Sequence, residues 1–363
     1  MLKSKLKRVE LWTRGQFNRS VGLSRIPTLI SRSCQVIPTG GDIRILVLRQ
    51  DRIGDVLVSV PIFRALRRLF PQGQIDVVLS HNNIPVRDAI SPFINAVVLY
   101  QKGPLALLKL RRTIRKRRYD VVVDCMDNAS TTSSLFVNAT HARYAIGIDK
   151  ENRGVYTHVV PLADRSSVHI VDRISRLLWP FGVDLTTEEK QLAYPLQESD
   201  VLHAQSLVHG TSVGRKIFGF NISGSDIGRM YPEIDIIRVI NEVGNLGSEV
   251  EFVILGAQQH LDMLLRISEA THCRLIEPVA SFTAWAAIIA QLDGLITPDT
   301  SAVHVAAAFS VPSVVLFVHD RADLMPWYPY NTPCFACETT TSRIADIPVE
   351  SVISAVRKLV IGE

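Results

Sequence analysis

The sequence is poor in several things, and each shortage closes a class of protein. Cysteine occurs five times in 363 residues, an odd and small number that excludes a disulfide framework. No uncharged apolar run approaches the ~18 residues that a membrane-spanning helix needs. The first 40 residues hold no continuous apolar stretch of signal-peptide type, because Lys, Arg and Glu interrupt every candidate. A cytoplasmic chain is therefore expected. Aromatic residues make up 7% and are not interleaved with the basic stretches, which disfavours nucleic acid as a partner. The loop after the first strand-like run holds Gly54 where a dinucleotide fingerprint would need three glycines, and it lacks the Lys-Ser/Thr ending of a P-loop. A nicotinamide-dependent oxidoreductase is disfavoured on that ground.

What is present is ample apolar material, at 47%, with 21% charged residues, so cores can be buried and wholesale disorder is excluded. The length predicts two domains. The net charge of +5 hides a polarity along the chain. Residues 1–200 carry 30 Lys and Arg against 18 Asp and Glu, whereas 201–363 carry 10 against 17. The basic half is expected to meet something anionic.

Residues 1–40 stand apart as a basic segment with a single acid, Glu10. Leu2, Leu6, Val9 and Trp12 would share a face if this stretch were helical, which suggests an amphipathic element resting on anionic lipid or a solvated tail. From residue 43 the pattern turns regular. Short apolar runs at 43–48, 75–79, 96–100, 120–125 and 145–148 read as strands, with helical periodicity at about 53–70, 104–118, 128–138 and 166–179. The rhythm lapses over a polar stretch at 182–214. It resumes with strands at 216–221, 250–255, 274–276, 294–297 and 313–318 and helices at about 232–245, 258–271, 281–291, 300–309 and 348–360. Buried strands alternating with helices predict α/β architecture with parallel sheets covered on both faces. The expected division is a basic segment 1–40, a first doubly wound domain 41–195, a linker 196–214 and a second doubly wound domain 215–363. Ligands of such sheets bind beyond the carboxyl ends of the strands, in a cleft between the domains.

Three loops at strand ends carry candidate chemistry. The first is Arg49-Gln-Asp-Arg-Ile-Gly-Asp55, where a glycine precedes a carboxylate at a helix start. Asp55 is a candidate proton acceptor, or simply a first-turn acid facing the helix dipole. The second is Thr297-Pro-Asp-Thr-Ser-Ala-Val-His304, with Asp299 expected as the N-cap of a helix beginning at Thr300. Its free N–H groups and the Thr300 and Ser301 hydroxyls suit a pyrophosphate, and His304 lies one turn further on. The third is Asn221-Ile-Ser-Gly-Ser-Asp-Ile-Gly-Arg229, whose hydroxyls, amides and guanidinium suit phosphate oxygens. Elsewhere, Lys109, Arg111, Arg112, Arg115, Lys116, Arg117 and Arg118 crowd one helical stretch, with Leu105, Leu108 and Ile114 as apolar partners. Cys334-Phe-Ala-Cys337 is a single C-x-x-C without a second pair, and structural cysteines are expected there.

Taken together, the motif R-x-D-x-x-G-D-V-L-x-S-x-P-x-x-R-A-L at 49–66, the Ser/Gly–Arg–aromatic–Pro–Glu loop at 223–233 and P-D-T-S-A-V-H-x-A-A-A-F-x-V-P-x-V at 298–314 resemble glycosyltransferase family 9, the ADP-heptose:lipopolysaccharide heptosyltransferases. The resemblance implies a GT-B fold, with two Rossmann-like domains facing a central cleft. It implies inverting transfer of a heptose from ADP-heptose to a lipopolysaccharide core or related lipid-linked glycan. It places the catalytic base at Asp55 and the donor at Ser223, Gly224, Ser225, Arg229, Gln258, Asp299, Thr300, Ser301, Ala302 and His304. Arg52, Gly54, Lys109, Arg112 and Arg115 are the corresponding acceptor-side candidates. The implied partners are a nucleotide-sugar donor and an anionic lipid-linked saccharide at the cytoplasmic surface of the inner membrane. No cofactor is expected beyond the donor substrate. No metal is expected either, since the chain contains no Asp-x-Asp pair. Two positions depart from the family pattern: Ser301, where Gly is common, and Gln258, where a Glu would meet the ribose. They leave open a GT-B transferase using another nucleotide sugar, or a non-catalytic relative that binds anionic glycolipid.

Overall fold

A computed structural model describes residues 25–362 except 40, 211–213, 225 and 245–249, together with Gln16. The chain divides into two compact units. The first runs to Asp164 and resumes over Ile170–Lys190; the second comprises Arg165–His169 and Gln191–Glu363.

The first unit is built on seven parallel strands. They are β1 (Thr28–Leu29), β2 (Arg44–Leu48), β3 (Gln74–Ser80), β4 (Ala96–Tyr100), β5 (Val121–Asp124), β6 (Tyr144–Ile148) and β7 (His158–Val160), in the order β1-β7-β6-β5-β2-β3-β4. Its helices are α1 (Ile53–Val58), α2 (Val60–Leu69), α3 (Pro104–Arg117), α4 (Thr131–Thr140) and α5 (Ile170–Ser175). Leaving β1 aside, the strands follow the 3-2-1-4-5-6 order of doubly wound nucleotide-binding sheets. The topological switch point therefore lies between β2 and β5. Both strands are aliphatic and buried, as parallel strands covered on two faces must be. Leu46, Leu48, Val78, Val122, Phe136 and Tyr156 belong to one continuous core cluster.

Two expectations for this unit need correction. The helix expected over 53–70 is two helices broken at Ser59. Pro61 has no N–H to return to the preceding turn, and the Ser59 hydroxyl donates to the Asp55 carbonyl at 2.8 Å. The basic segment 1–40 is not separate over its described part. β1 pairs with β7, Ile30 and Ile37 are buried, and the Val36 and Ile37 amides donate to the Pro180 carbonyl at 2.8 and 3.0 Å. Without β1 the outer edge of β7 would be unpaired, which is the physical reason the chain is drawn in. The amphipathic stretch around Leu2–Trp12 falls outside the described residues.

The second unit has six parallel strands: β8 (Lys216–Asn221), β9 (Val250–Leu255), β10 (Arg274–Leu275), β11 (Gly294–Pro298), β12 (Ser313–Val318) and β13 (Cys334–Thr339). Their order, β10-β9-β8-β11-β12-β13, is again 3-2-1-4-5-6, with its switch point between β8 and β11. The helices are α6 (Glu198–His209), α7 (Glu233–Gly244), α8 (Leu261–Thr271), α9 (Phe282–Ala290), α10 (Ser301–Ala308) and α11 (Val349–Ile361). Phe220, Ile254, Ile296 and Leu316 from the sheet pack with Ile236 and Val239 of α7 and with Val352 and Val356 of α11. At about 1.5–3 kcal/mol per fully buried side chain, this cluster is the main support of the unit.

The stretch expected as a linker, 196–214, contains α6. The Gln197 amide donates to Asp200 Oδ2 at 3.1 Å, and Ala204 and Val208 bury one narrow stripe beside α9. Two small or branched apolar residues among polar ones leave a weak periodic signal, which is why the helix reads as linker in the sequence.

Candidate active site

In the first unit the loop leaving β2 lies at the switch point. Asp55 occupies the third position of α1, where its Oδ2 accepts the Arg52 amide at 3.1 Å and closes the first turn. The other carboxylate oxygen stands 3.1 Å from Arg49 Nη2, an ion pair whose N–H is not aligned for a hydrogen bond. Arg49 is 1% exposed; its Nε donates to the Asp55 carbonyl and its Nη1 to the Cys125 carbonyl, each at 2.7 Å. Burial works against the charge of Arg49, but the carboxylates of Asp55 and Asp51 more than offset it and hold its pKa above the ordinary value. Asp55 retains 13% of its side-chain surface, enough for one carboxylate edge to meet solvent or substrate. Gly54 precedes it inside α1, and Arg52 is exposed at the N-cap.

Around this carboxylate the sheet assembles charges that the sequence reading passed over. Asp51 Oδ2 lies 3.8 Å from Arg49 Nη1, and burial pushes the Asp51 carboxyl up to about 6. At the end of β5, the buried Asp124 accepts the Tyr156 hydroxyl at 2.5 Å and the Met126 amide at 3.1 Å, with Lys150 Nζ 3.5 Å away. Lys150 also donates to the Met126 carbonyl. Burial, reinforced by Asp124, holds the Tyr156 phenol well above its usual pKa, so it remains a donor. Asp127 pairs with buried Arg173 at 3.1 Å. The available signal was the strand order itself: charged residues at the ends of the first, fourth and fifth strands of a doubly wound sheet gather at one edge.

The basic candidates lie on α3, the helix between β4 and β5. Lys109, Arg112 and Arg115 are exposed on α3. Arg44, which opens β2, donates to the Arg117 carbonyl at 2.8 Å, so the last turn of α3 lies at the amino end of the strand whose carboxyl end leads to Asp55. Arg115 is thus not brought together with Asp55. Leu105 and Leu108, expected as apolar partners, are exposed, whereas Ile114 is buried.

In the second unit the loops after β8, β9 and β11 converge. Asn221, the last residue of β8, donates from Nδ2 to Thr297 Oγ1 at 2.9 Å across the switch point. The Ser223 hydroxyl accepts the Ala257 amide at 2.7 Å and stands 2.9 Å from His260 Nδ1, which ties the first loop to the one carrying exposed Gln258. Gly224 is required by space: a Cβ there would fall 2.0 Å from the Arg229 carbonyl oxygen. Arg229 Nη1 pairs with Asp299 Oδ2 at 3.1 Å, and both side chains are about one-third exposed. Ser225 falls outside the described residues.

The helix cap is displaced by one residue from its expected place. Thr300, not Asp299, is the N-cap of α10, and its hydroxyl accepts the Ala302 amide at 3.3 Å. Thr300 has the extended backbone that a cap needs, and Asp299 is left to pair with Arg229. Ser301 opens the helix. Ala302 and His304 are buried, the imidazole ring centroid 6.0 Å from that of Trp327. The structure therefore brings Ser223, Gly224, Arg229, Asp299 and the Thr300–Ser301 turn to one edge of the sheet.

The two cysteines of the C-x-x-C sequence lie on β13, on opposite faces of the sheet: Cys334 packs with Val303 and Phe317, Cys337 with the α7 and α11 cluster. Three residues apart on a strand, they cannot face one another.

Residues 107–346 match the family model described as glycosyltransferase family 9 (heptosyltransferase), about two-thirds of the chain. The chain belongs to glycosyltransferase family 9. The match takes in the loops at 221–229 and 297–304 and begins downstream of Asp55. Lipopolysaccharide heptosyltransferase 3 of Escherichia coli is 25% identical over 297 residues, 77% of this chain and 84% of that protein. Among solved structures, the glycosyltransferase family 9 protein of Veillonella parvula DSM 2008 is 21% identical and superposes with a TM-score of 0.73, covering 90% of this chain and all of the other. The Escherichia coli ADP-heptose lipopolysaccharide heptosyltransferase II, also 21% identical, covers 88% of this chain and 99% of its own with a TM-score of 0.65. This family 9 glycosyltransferase has the GT-B fold class, two Rossmann-type α/β units in one chain. Among the described residues no helix is long and apolar enough to cross a membrane.

Proposed function

We propose that this glycosyltransferase moves a heptose from ADP-heptose to the core of a lipopolysaccharide or a related lipid-linked glycan, with inversion at the anomeric carbon and without a metal. The observation that carries the reading is the setting of Asp55. In a chain of the heptosyltransferase family, a carboxylate stands at the switch point of the first sheet, fixed by Arg49 and the Arg52 amide and still partly open. Asp55 accepts the proton of the acceptor hydroxyl while that oxygen bonds to the anomeric carbon. The bond from this carbon to the ADP oxygen breaks on the opposite face, so the configuration inverts. Arg229, steadied by Asp299, and the Thr300–Ser301 turn meet the charge that collects on the diphosphate. ADP-heptose and lipopolysaccharide are the terms in the names of the similar proteins, and they support this choice of donor and acceptor.

The test is transfer from ADP-heptose to heptose-deficient lipopolysaccharide by purified protein, with EDTA throughout. Asp55→Asn preserves shape and the Arg52 contact but removes the base, so kcat should fall ~10²–10⁴-fold with little change in donor KM. A variant with near wild-type kcat would exclude Asp55 as base. Transfer from a different nucleotide sugar only, or abolition by EDTA, would overturn the donor or the metal-free mechanism respectively.

A further inference from the structure

Helix α3 carries an outward face that is exposed and strongly basic. Its buried side is formed by Leu110 and Ile114, which join the core cluster of the first unit. On the opposite side, at the i, i+3, i+4 and i+7 spacing of a single helix face, stand Leu105, Leu108, Lys109, Arg112 and Lys116. Leu105 is 80% and Leu108 50% exposed, and Leu99 of the edge strand β4 adds a third exposed leucine just before the helix. Lys102, Arg111, Arg115 and Arg118 are exposed on the same segment, and no acid occurs between residues 101 and 119. Among the described residues, Arg117 is the member of this run that pairs with a carboxylate, that of Asp76. Among the described residues, the other charges of the run have no carboxylate partner.

We infer that the outer face of α3 is a docking surface for an anionic lipid membrane, with Leu105 and Leu108 entering the headgroup boundary and Lys109, Arg112 and Lys116 meeting lipid phosphates. The charge alone would suit any polyanion. The exposed leucines decide between lipid and a soluble partner, because a nucleic acid or free glycan offers no apolar phase in which to bury them. Basic side chains flanking a small apolar ridge are the arrangement that anionic bilayers hold. This inference stands on the helix surface and does not depend on the reaction proposed for Asp55.

Co-sedimentation of the full-length protein with vesicles tests it, using phosphatidylcholine alone and phosphatidylcholine mixed with phosphatidylglycerol. The expected result is binding to the mixed vesicles that weakens with salt and is absent on phosphatidylcholine. Two surface variants are compared in the full chain, with circular dichroism to verify folding. Lys109→Gln/Arg112→Gln/Lys116→Gln should lower the partition coefficient roughly hundredfold. Leu105→Ser/Leu108→Ser should lower it roughly tenfold. No binding by the wild type, or equal binding to both vesicle types, overturns the proposal. Wild-type binding by both variants also overturns it and moves the contact to another part of the chain, such as the basic residues before 25. A loss confined to the charge variant overturns the entry of Leu105 and Leu108 into the headgroup boundary and reduces the contact to surface electrostatics.

Discussion

Replacing Arg49 tests whether the site is held together by one buried cation. Its guanidinium binds the carbonyls of Asp55 and Cys125 at 2.7 Å each and faces the Asp55 carboxylate at 3.1 Å. Arg49→Met keeps much of the volume and removes the charge. The Asp55 carbonyl still accepts the Ser59 hydroxyl, but the Cys125 carbonyl loses this donor and the Asp55 carboxylate loses its cation. Removing one partner of a buried pair costs about 3–5 kcal/mol. In a unit of this size that corresponds to a Tm about 6–20 °C lower for its transition, at roughly 2–4 °C per kcal/mol. Arg49→Lys keeps the charge without the planar fork that spans both carbonyls, and its effect should fall between wild type and Met. Urea unfolding followed by circular dichroism gives the free energies, and the cycle with Asp55→Asn gives the coupling. If the carboxylate needs the cation, Arg49→Met costs at least ~1 kcal/mol less once Asp55 is neutral. An Arg49→Met protein within ~0.5 kcal/mol of wild type, the range of ordinary surface changes, would refute the reasoning. Strict additivity in the cycle would reduce Arg49 to a clamp for two carbonyls.

Three further outcomes are expected. Burial raises the Asp51 carboxyl to about 6, so the folded state holds a proton that the unfolded state has lost between pH 4 and 6, and stability falls as pH rises through that window. Asp51→Asn should equal wild type near pH 4 and exceed it at pH 7.5 by at most ~3 kcal/mol, less for the 30% exposure of the side chain; no pH-dependent gap in urea unfolding would contradict this. Gly224→Ala forces its Cβ against the Arg229 carbonyl and must move the loop that carries Arg229, so donor KM should rise severalfold for a stability loss of about 1–3 kcal/mol, and unchanged donor kinetics would separate this loop from donor binding. Burial pushes the Cys334 and Cys337 thiols up to about 12 and about 11 on opposite faces of β13, so native protein should show fast thiol titration at exposed Cys34 and slow reaction at both; a disulfide between Cys334 and Cys337, seen as a loss of two hydrogens by mass spectrometry, would contradict the strand geometry.

Legibility in the sequence followed the length and purity of each apolar pattern. The runs at 96–100, 216–221, 250–255 and 313–318 have the bounds of the observed strands because each is a mostly apolar run of strand length. β1, β7 and β13 passed unseen: the first two are two and three residues long, and the third mixes Cys, Glu and Thr at the edge of its sheet. The same limit governs the site. Asp55 and Arg229 are visible because each stands in a local motif, whereas the groups that anchor Arg49 and Arg229 are distant in the chain. Arg49 meets the carbonyl of a residue 76 positions away, and Arg229 meets an acid 70 positions away. Those distances are the separations between the first and fourth strands of each unit, which become neighbours only through the 3-2-1-4-5-6 order. Once that order is assumed, the end of the first strand must face the end of the fourth, and the residues there can be paired from sequence: Arg49 with the Asp124–Asp127 stretch, Asn221 with Thr297. Side-chain protonation does not follow from that step. It depends on desolvation and on the neighbouring charges together: burial raises the Asp51 carboxyl while the Arg49 guanidinium opposes the rise.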